Sequence, residues 1–151
     1  VEKVMLEVFV ARKVRTSVLT NKRIFEVCKA VLAEEAVKNA SISVALLNDQ
    51  DMHIANKNFL NHDETTDVIT FPFEQKKNKL TGEILIGVDV ARKHSKSAGH
   101  LLAFELTLYL IHGLLHLCGF DDLDPVSRKK MRKRERFHLS RLGLPDIAPS
   151  E

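Results

Sequence analysis

The sequence predicts an α+β fold, a small mixed β-sheet of about four strands with helices packed on it. Three observations lead there. Short β-branched runs are confined to the first 88 residues. Two helical patterns interrupt those runs early. The rest of the chain reads as helices, the last of them strongly basic.

The elements follow in order. Val4–Val10 mixes Val, Leu, Met and Phe with charge and reads as a strand. Thr20-Asn21-Lys22 opens a helix from about Lys22 to Lys38, with Ile24, Val27, Cys28, Val31 and Leu32 at helical spacing. Ser41–Leu47 alternates and is the second strand. Asn48-Asp49 caps a short helix through Phe59. Asn61-His62-Asp63 is a turn, Asp67–Phe71 a third strand closed by Pro72, and Gln75–Lys79 a polar hairpin loop. Gly82–Val88 is the fourth strand, a continuous apolar run. Helices follow over Asp89–Lys96, Gly99–Leu117 and Pro125–Leu142. The tail Leu144–Glu151 carries two prolines and reads as loose. No composition shift marks a boundary, so residues 1–151 read as one domain.

Composition narrows the class. At 151 residues the chain can bury a real core, and 44% apolar with 28% charged residues is the balance of a soluble globular protein. The most apolar helix carries Glu105, His112 and His116, which argues against a membrane span. Glu2, Lys3 and Glu7 interrupt any leader-like start, and the two cysteines, Cys28 and Cys118, read as reduced thiols of a cytoplasmic protein. Net charge is only +3, but its distribution is uneven. Arg128, Lys129, Lys130, Arg132, Lys133, Arg134 and Arg136 fall within nine residues, with Glu135 as the one acid. That density is a footprint for phosphate and hence for nucleic acid; a solvated helix face is the plain alternative.

The chemistry centres on His112-Gly113-Leu114-Leu115-His116-Leu117-Cys118-Gly119-Phe120-Asp121-Asp122. Histidines four apart on a helix share a face and can reach one ion. Gly119 can reverse the chain in a left-handed turn, and Asp122 can then supply a third donor. Three protein donors with an open position is the pattern of a catalytic zinc site. Two imidazoles and a carboxylate suit one Zn²⁺, with Ni²⁺ or another transition ion as the alternative. The plain reading is two half-buried histidines, a glycine C-cap and an acidic N-cap, but histidines in so apolar a helix need partners for their nitrogens. The spacing is zincin-like, and the reaction class is metal-assisted hydrolysis. In zincin peptidases a glutamate general base follows the first histidine; here that place is Gly113. Asp67 and Glu83, each at a strand start, are candidates for orienting a ligand histidine, with turn or cap acids as the plain reading.

Three blocks in order resemble the YbeY family of single-strand-specific endoribonucleases, which act in rRNA maturation and ribosome quality control. Asp63-Glu64-Thr65-Thr66-Asp67-Val68-Ile69-Thr70-Phe71-Pro72-Phe73 is similar to the family's P-T-D-V-L-S-F-P run. Thr81-Gly82-Glu83-Ile84-Leu85-Ile86 falls where the family has G-D-I. The block from His112 to Asp122 is similar to H-G-x-L-H-L-x-G-Y-D-H. The resemblance spans about Ser41 to Leu142 and implies a zinc-dependent endoribonuclease acting on single-stranded RNA, with rRNA as substrate and the ribosome or its small subunit as partner. Two positions depart. The family's third ligand is usually histidine, and Asp122 stands there. The family's active-site arginine matches Leu60, which cannot clamp a phosphate, leaving Lys57 or Arg92 as cationic substitutes.

Two other readings compete with the endoribonuclease. A metal-dependent hydrolase of peptide or amide bonds fits the zincin-like spacing but lacks the base at Gly113. An RNA- or ribosome-binding factor with a structural metal fits Leu60. In the nuclease reading, Arg128, Lys129, Lys130, Arg132, Lys133 and Arg134 meet RNA.

Overall fold

The computed structural model describes residues 5–60, 67–73 and 78–150, the side chains of 59 and 60 excepted. The turn predicted at 61–63, the start of the block at 63–66, positions 75–77 of the predicted loop and the side chain of Leu60 lie outside the described residues. Among the described residues the chain forms four strands and five helices: β1 (Met5–Arg12), α1 (Asn21–Glu34), β2 (Asn39–Leu47), α2 (Asp49–Leu60), β3 (Val68–Pro72), β4 (Leu80–Gly87), α3 (Val88–Ala98), α4 (Leu102–Leu117) and α5 (Pro125–Arg141). The α+β expectation holds, and the sheet is mixed. Its order is β1-β2-β4-β3, with β1, β2 and β4 parallel and β3 antiparallel to β4.

Alternation along the strands sorts the core into two layers. Ile42, Val44 and Leu46 of β2 and Ile84 and Ile86 of β4 pack with Ile24, Val27 and Leu32 of α1 and with Leu106, Leu110, Ile111 and Leu114 of α4. The opposite layer joins Ala45, Leu47, Leu85 and Ile69 to Met52 and Ala55 of α2. Each large aliphatic side chain buried this way contributes about 1.5–3 kcal/mol.

Two glycines set how closely α4 lies on the sheet. A Cβ at Gly113 would fall 2.6 Å from Ile84 Cγ2, and one at Gly82 would fall 2.6 Å from Leu117 Cδ2. The helix therefore rests directly on β4, which fixes the height of the histidine face above the sheet.

Element ends differ from expectation where the chain must turn. α1 stops at Glu34 rather than near Lys38, because Ala36 takes a left-handed φ of 60° and Val37 N–H returns to Leu32 C=O. Gly99 does not begin α4. Its φ of 77° makes it the C-cap of α3, and α4 starts at Leu102. Among the described residues the tail after Gly143 is not loose. Leu144, Ile147 and Ala148 pack against the core, and Arg136 bonds Asp146 and the Pro149 carbonyl.

Candidate metal centre

The centre is built from the end of α4, the reversal after it, and α5. α4 closes with paired backbone bonds, Phe120 N–H to Leu115 C=O and Gly119 N–H to His116 C=O, each 3.0 Å. Gly119 sits at φ 105°, a conformation that favours glycine. This Schellman-type reversal carries the chain back past the helix face, so that Asp122 arrives beside the two imidazoles. Asp124 then caps α5 by accepting the Ser127 N–H at 2.8 Å, with Pro125 opening the helix.

One ligand atom each from His112, His116 and Asp122 lies within 4.8 Å of the others. The Nε2 atoms of His112 and His116 are 3.0 Å apart. Asp122 Oδ2 lies 3.4 Å from His112 Nε2, and Oδ1 lies 3.6 Å from His116 Nε2. Donors at tetrahedral corners about 2.0–2.1 Å from a zinc ion are about 3.3 Å apart. The two imidazole nitrogens and the facing edge of the Asp122 carboxylate, one oxygen toward each ring, are at separations of that order, so this donor set fits a small transition ion with one corner left over.

The histidines are held from behind. His112 Nδ1 lies 2.6 Å from Glu135 Oε2. A carboxylate only accepts, so the ring proton belongs on Nδ1 and the Nε2 lone pair points at the shared centre. Glu135 is fully buried. Its charge is met by Arg132, whose Nη1 donates to Oε1 at 2.7 Å and Oε2 at 2.9 Å. Burial, with His112 beside it, lowers the pKa of His116 against the opposing pull of Asp122. A lowered pKa favours the neutral imidazole, the form that binds metal.

A cavity of about 140 Å³ opens beside the donors, bordered by His112, Asp122, Arg132, Glu105, Tyr109 and Asp67. Glu105 is buried and its carboxylate lies 2.6 Å from His100 Nε2. Burial, with the Glu105 charge, raises the Tyr109 hydroxyl far above its ordinary pKa, so it stays protonated.

The remaining candidates fall differently. Glu83 does not orient a ligand: it alternates with Ile84 and Ile86, which face α4, and so stands on the opposite side of the sheet. Asp67 borders the cavity and accepts the Val68 N–H at 2.8 Å, but the His112 Nδ1 proton goes to Glu135. Cys118 is the C-cap residue of α4, and burial, with the Glu35 charge, pushes its thiol up to about 12. The basic segment is not a uniform phosphate face. Arg132 is tied to Glu135, Arg134 to Glu35 at 2.6 Å and Arg136 to Asp146 at 3.2 Å. Arg128 donates to the Asp122 carbonyl at 3.3 Å. Lys129, Lys130 and Lys133 remain exposed.

Glu135 is the residue that the linear reading missed. A signal existed: Met131, Glu135, His138 and Leu139 form the buried face of α5 at helical spacing. A single acid on that apolar stripe needs a partner.

Fold and donor set together define an α+β protein with a candidate metal centre of two histidines and an aspartate. The comparisons with known proteins make this more particular. The sequence profile described as Endoribonuclease YbeY matches residues 10–143. A protein named Endoribonuclease YbeY from Rhodopirellula baltica is 34% identical over 124 residues, covering 79% of this chain and 64% of that protein. One of the same name from Caldicellulosiruptor bescii is 31% identical over 156 residues, covering 95% and 93%. A solution structure of a Thermotoga maritima protein superposes with a TM-score of 0.62 at 21% identity, covering 92% of each chain, and shows the shared fold. The chain belongs to the YbeY endoribonuclease family.

Proposed function

We propose that this chain is a metal-dependent endoribonuclease hydrolysing phosphodiester bonds of single-stranded RNA, with one zinc ion held by His112, His116 and Asp122. The observation that supports it most is the convergence of two Nε2 atoms and a carboxylate at 3.0, 3.4 and 3.6 Å beside an open cavity. Relatives named as endoribonucleases support RNA as the substrate class. Ribosomal RNA as substrate, the ribosome or its small subunit as partner, and a cytoplasmic location follow from the family resemblance, with residues 1–151 acting as one domain. Among the described residues no helix is long and apolar enough to cross a membrane.

A bound zinc ion supplies Lewis acidity toward the phosphodiester and an acidified water. The chain's own residues do the rest. Glu135 keeps the proton on His112 Nδ1 and its Nε2 free for the metal. Burial keeps His116 neutral. Arg132, at the cavity wall, offsets the charges of Asp122 and Glu135 as an anionic strand approaches. Asp67 lies at the cavity rim, and Arg128, Lys129, Lys130 and Lys133 offer outlying cationic contacts. A peptidase base at position 113 has no room, since even a Cβ there meets Ile84.

The test compares zinc-loaded and metal-free protein on single-stranded and duplex RNA, beside His112→Ala. Cleavage of the single strand that needs metal and vanishes in the variant is expected. Equal cleavage by His112→Ala ends the reading.

A further inference from the structure

A second hollow lies across α3 from the metal cavity. The loop between β1 and α1, together with α3, forms a groove of about 710 Å³ lined by Arg12, Lys13, Arg15 and Arg92, with Val14 and Val18 between them. No acidic side chain among the described residues lines it. Arg12 shapes the loop, donating to the Leu19 carbonyl at 2.6 Å, the Thr16 carbonyl at 3.0 Å and Asn21 Oδ1 at 2.7 Å. The Lys13 backbone is pinned to the Leu46 carbonyl at 2.9 Å, which continues the line of β1. The side chains of Lys13, Arg15 and Arg92 are exposed, and none forms an ion pair with another described residue. That separates them from Arg132, Arg134 and Arg136 of α5, whose charges are met within the fold.

The groove and the metal cavity share one helix. Arg92 borders the groove and His94 borders the cavity. Residues two apart on a helix diverge by about 200°, so the hollows flank α3, a cylinder about 10–12 Å across with its side chains. Lys93 and Lys96 are exposed on that helix. A polyanion leaving the cavity over α3 therefore meets cationic surface before it reaches the groove. Arginine and lysine are fully charged at neutral pH, and each phosphate they neutralise releases counterions.

We propose that this groove holds the phosphate backbone of the RNA strand beyond the bond being cut, with Lys13, Arg15 and Arg92 each meeting a phosphate. The strand runs from the metal cavity across α3 to the loop between β1 and α1. The inference rests on the endoribonuclease reading and names the surface that gives long strands their extra affinity.

The test uses zinc-loaded full-length protein and an uncleavable 2′-O-methyl decanucleotide, with a dinucleotide of the same chemistry beside it. Affinity is measured across salt concentrations for wild type and for the Lys13→Gln, Arg15→Gln, Arg92→Gln triple variant. Three lost contacts should reduce the salt slope of the decanucleotide by about 2, at about 0.7 each for a single strand. Dinucleotide affinity and melting temperature should not move, since all three side chains are exposed. An unchanged slope overturns the proposal, and so does a dinucleotide weakened as much as the decanucleotide. Binding of an uncleavable strand does not depend on turnover. A protein that fails the cleavage test yet shows this slope change separates the failure of the enzyme reading from that of the groove.

Discussion

Replacing Glu135 by glutamine tests the centre without touching any metal donor. The side chain keeps its shape and stays fully buried, but its charge is gone. Three bonds change character: the 2.6 Å contact with His112 Nδ1 and the 2.7 and 2.9 Å contacts with Arg132. An amide can present its NH₂ to Nδ1, which would place the ring proton on Nε2 and remove the lone pair aimed at the metal. Loss of a partner behind a ligating histidine typically weakens metal affinity by about 10–100-fold, or about 1.4–2.7 kcal/mol. The metal-free fold should lose about 1–3 kcal/mol as well, because bonds to a buried charge are replaced by neutral ones. Zinc competition with a chromophoric chelator reads the first effect, and urea unfolding with EDTA reads the second. Glu83→Gln is the matched control; on the far side of the sheet it should leave zinc affinity unchanged. A Glu135→Gln protein that is folded and binds zinc within about twofold of wild type would falsify the orienting role.

Other perturbations address neighbouring parts of the argument. Gly113→Ala gains up to about 1 kcal/mol of helix propensity but drives a Cβ to 2.6 Å from the buried, β-branched Ile84; overpacking of about 1–3 kcal/mol should win, and a urea midpoint at or above wild type would refute the close approach of α4 to β4. Burial lowers the pKa of His138 from its ordinary 6.5, outweighing the raising effect of Glu35. The folded state then binds fewer protons than the unfolded chain, so this stability is present above that ordinary value and is lost as pH falls toward the folded one. Metal-free protein should show urea midpoints that drop as pH falls below the ordinary histidine value, and His138→Gln should flatten the profile; parallel profiles would refute the assignment. Zinc at about 100 times its dissociation constant should add about 2.7 kcal/mol of stability, and Asp122→Ala should lose most of it; an equal zinc-induced rise in melting temperature in that variant would remove Asp122 from the donor set.

The donor face was legible in the sequence because its information is local. Spacing along one helix places His112 and His116 together, and the Gly119 reversal is a short-range event. The alternating and apolar runs likewise marked four strands. What was not legible depends on contacts between distant segments. Arg134 finds Glu35 across 99 residues, so a run that reads as exposed charge is partly an internal ion-pair network. Ala36 carries no sequence mark of a left-handed residue, so the helical pattern of α1 runs on past its true end. Gly99 could cap one helix or open the next, and only the bond from its N–H to the Ser95 carbonyl decides. The tail reads as loose from its prolines, yet Leu144, Ile147 and Ala148 find apolar neighbours and Arg136 holds the segment down.

The same long-range contacts tie the metal centre to the whole fold. The donors lie on α4 and the reversal after it, but the group that sets the His112 tautomer comes from α5. α5 is in turn fastened to the end of α1, where His138 Nε2 and Arg134 Nε both lie 2.6 Å from Glu35 Oε2. A metal that requires the His112 Nε2 lone pair therefore favours the state in which α5 is docked. By the same linkage, docking α5 raises metal affinity. Weakening the Glu35 anchor should accordingly lower zinc affinity from a position that never meets the ion. Its effect should act through Glu135 and disappear in a Glu135→Gln background. If the two losses simply add, α5 docking and His112 orientation are independent, and the coupling argument fails.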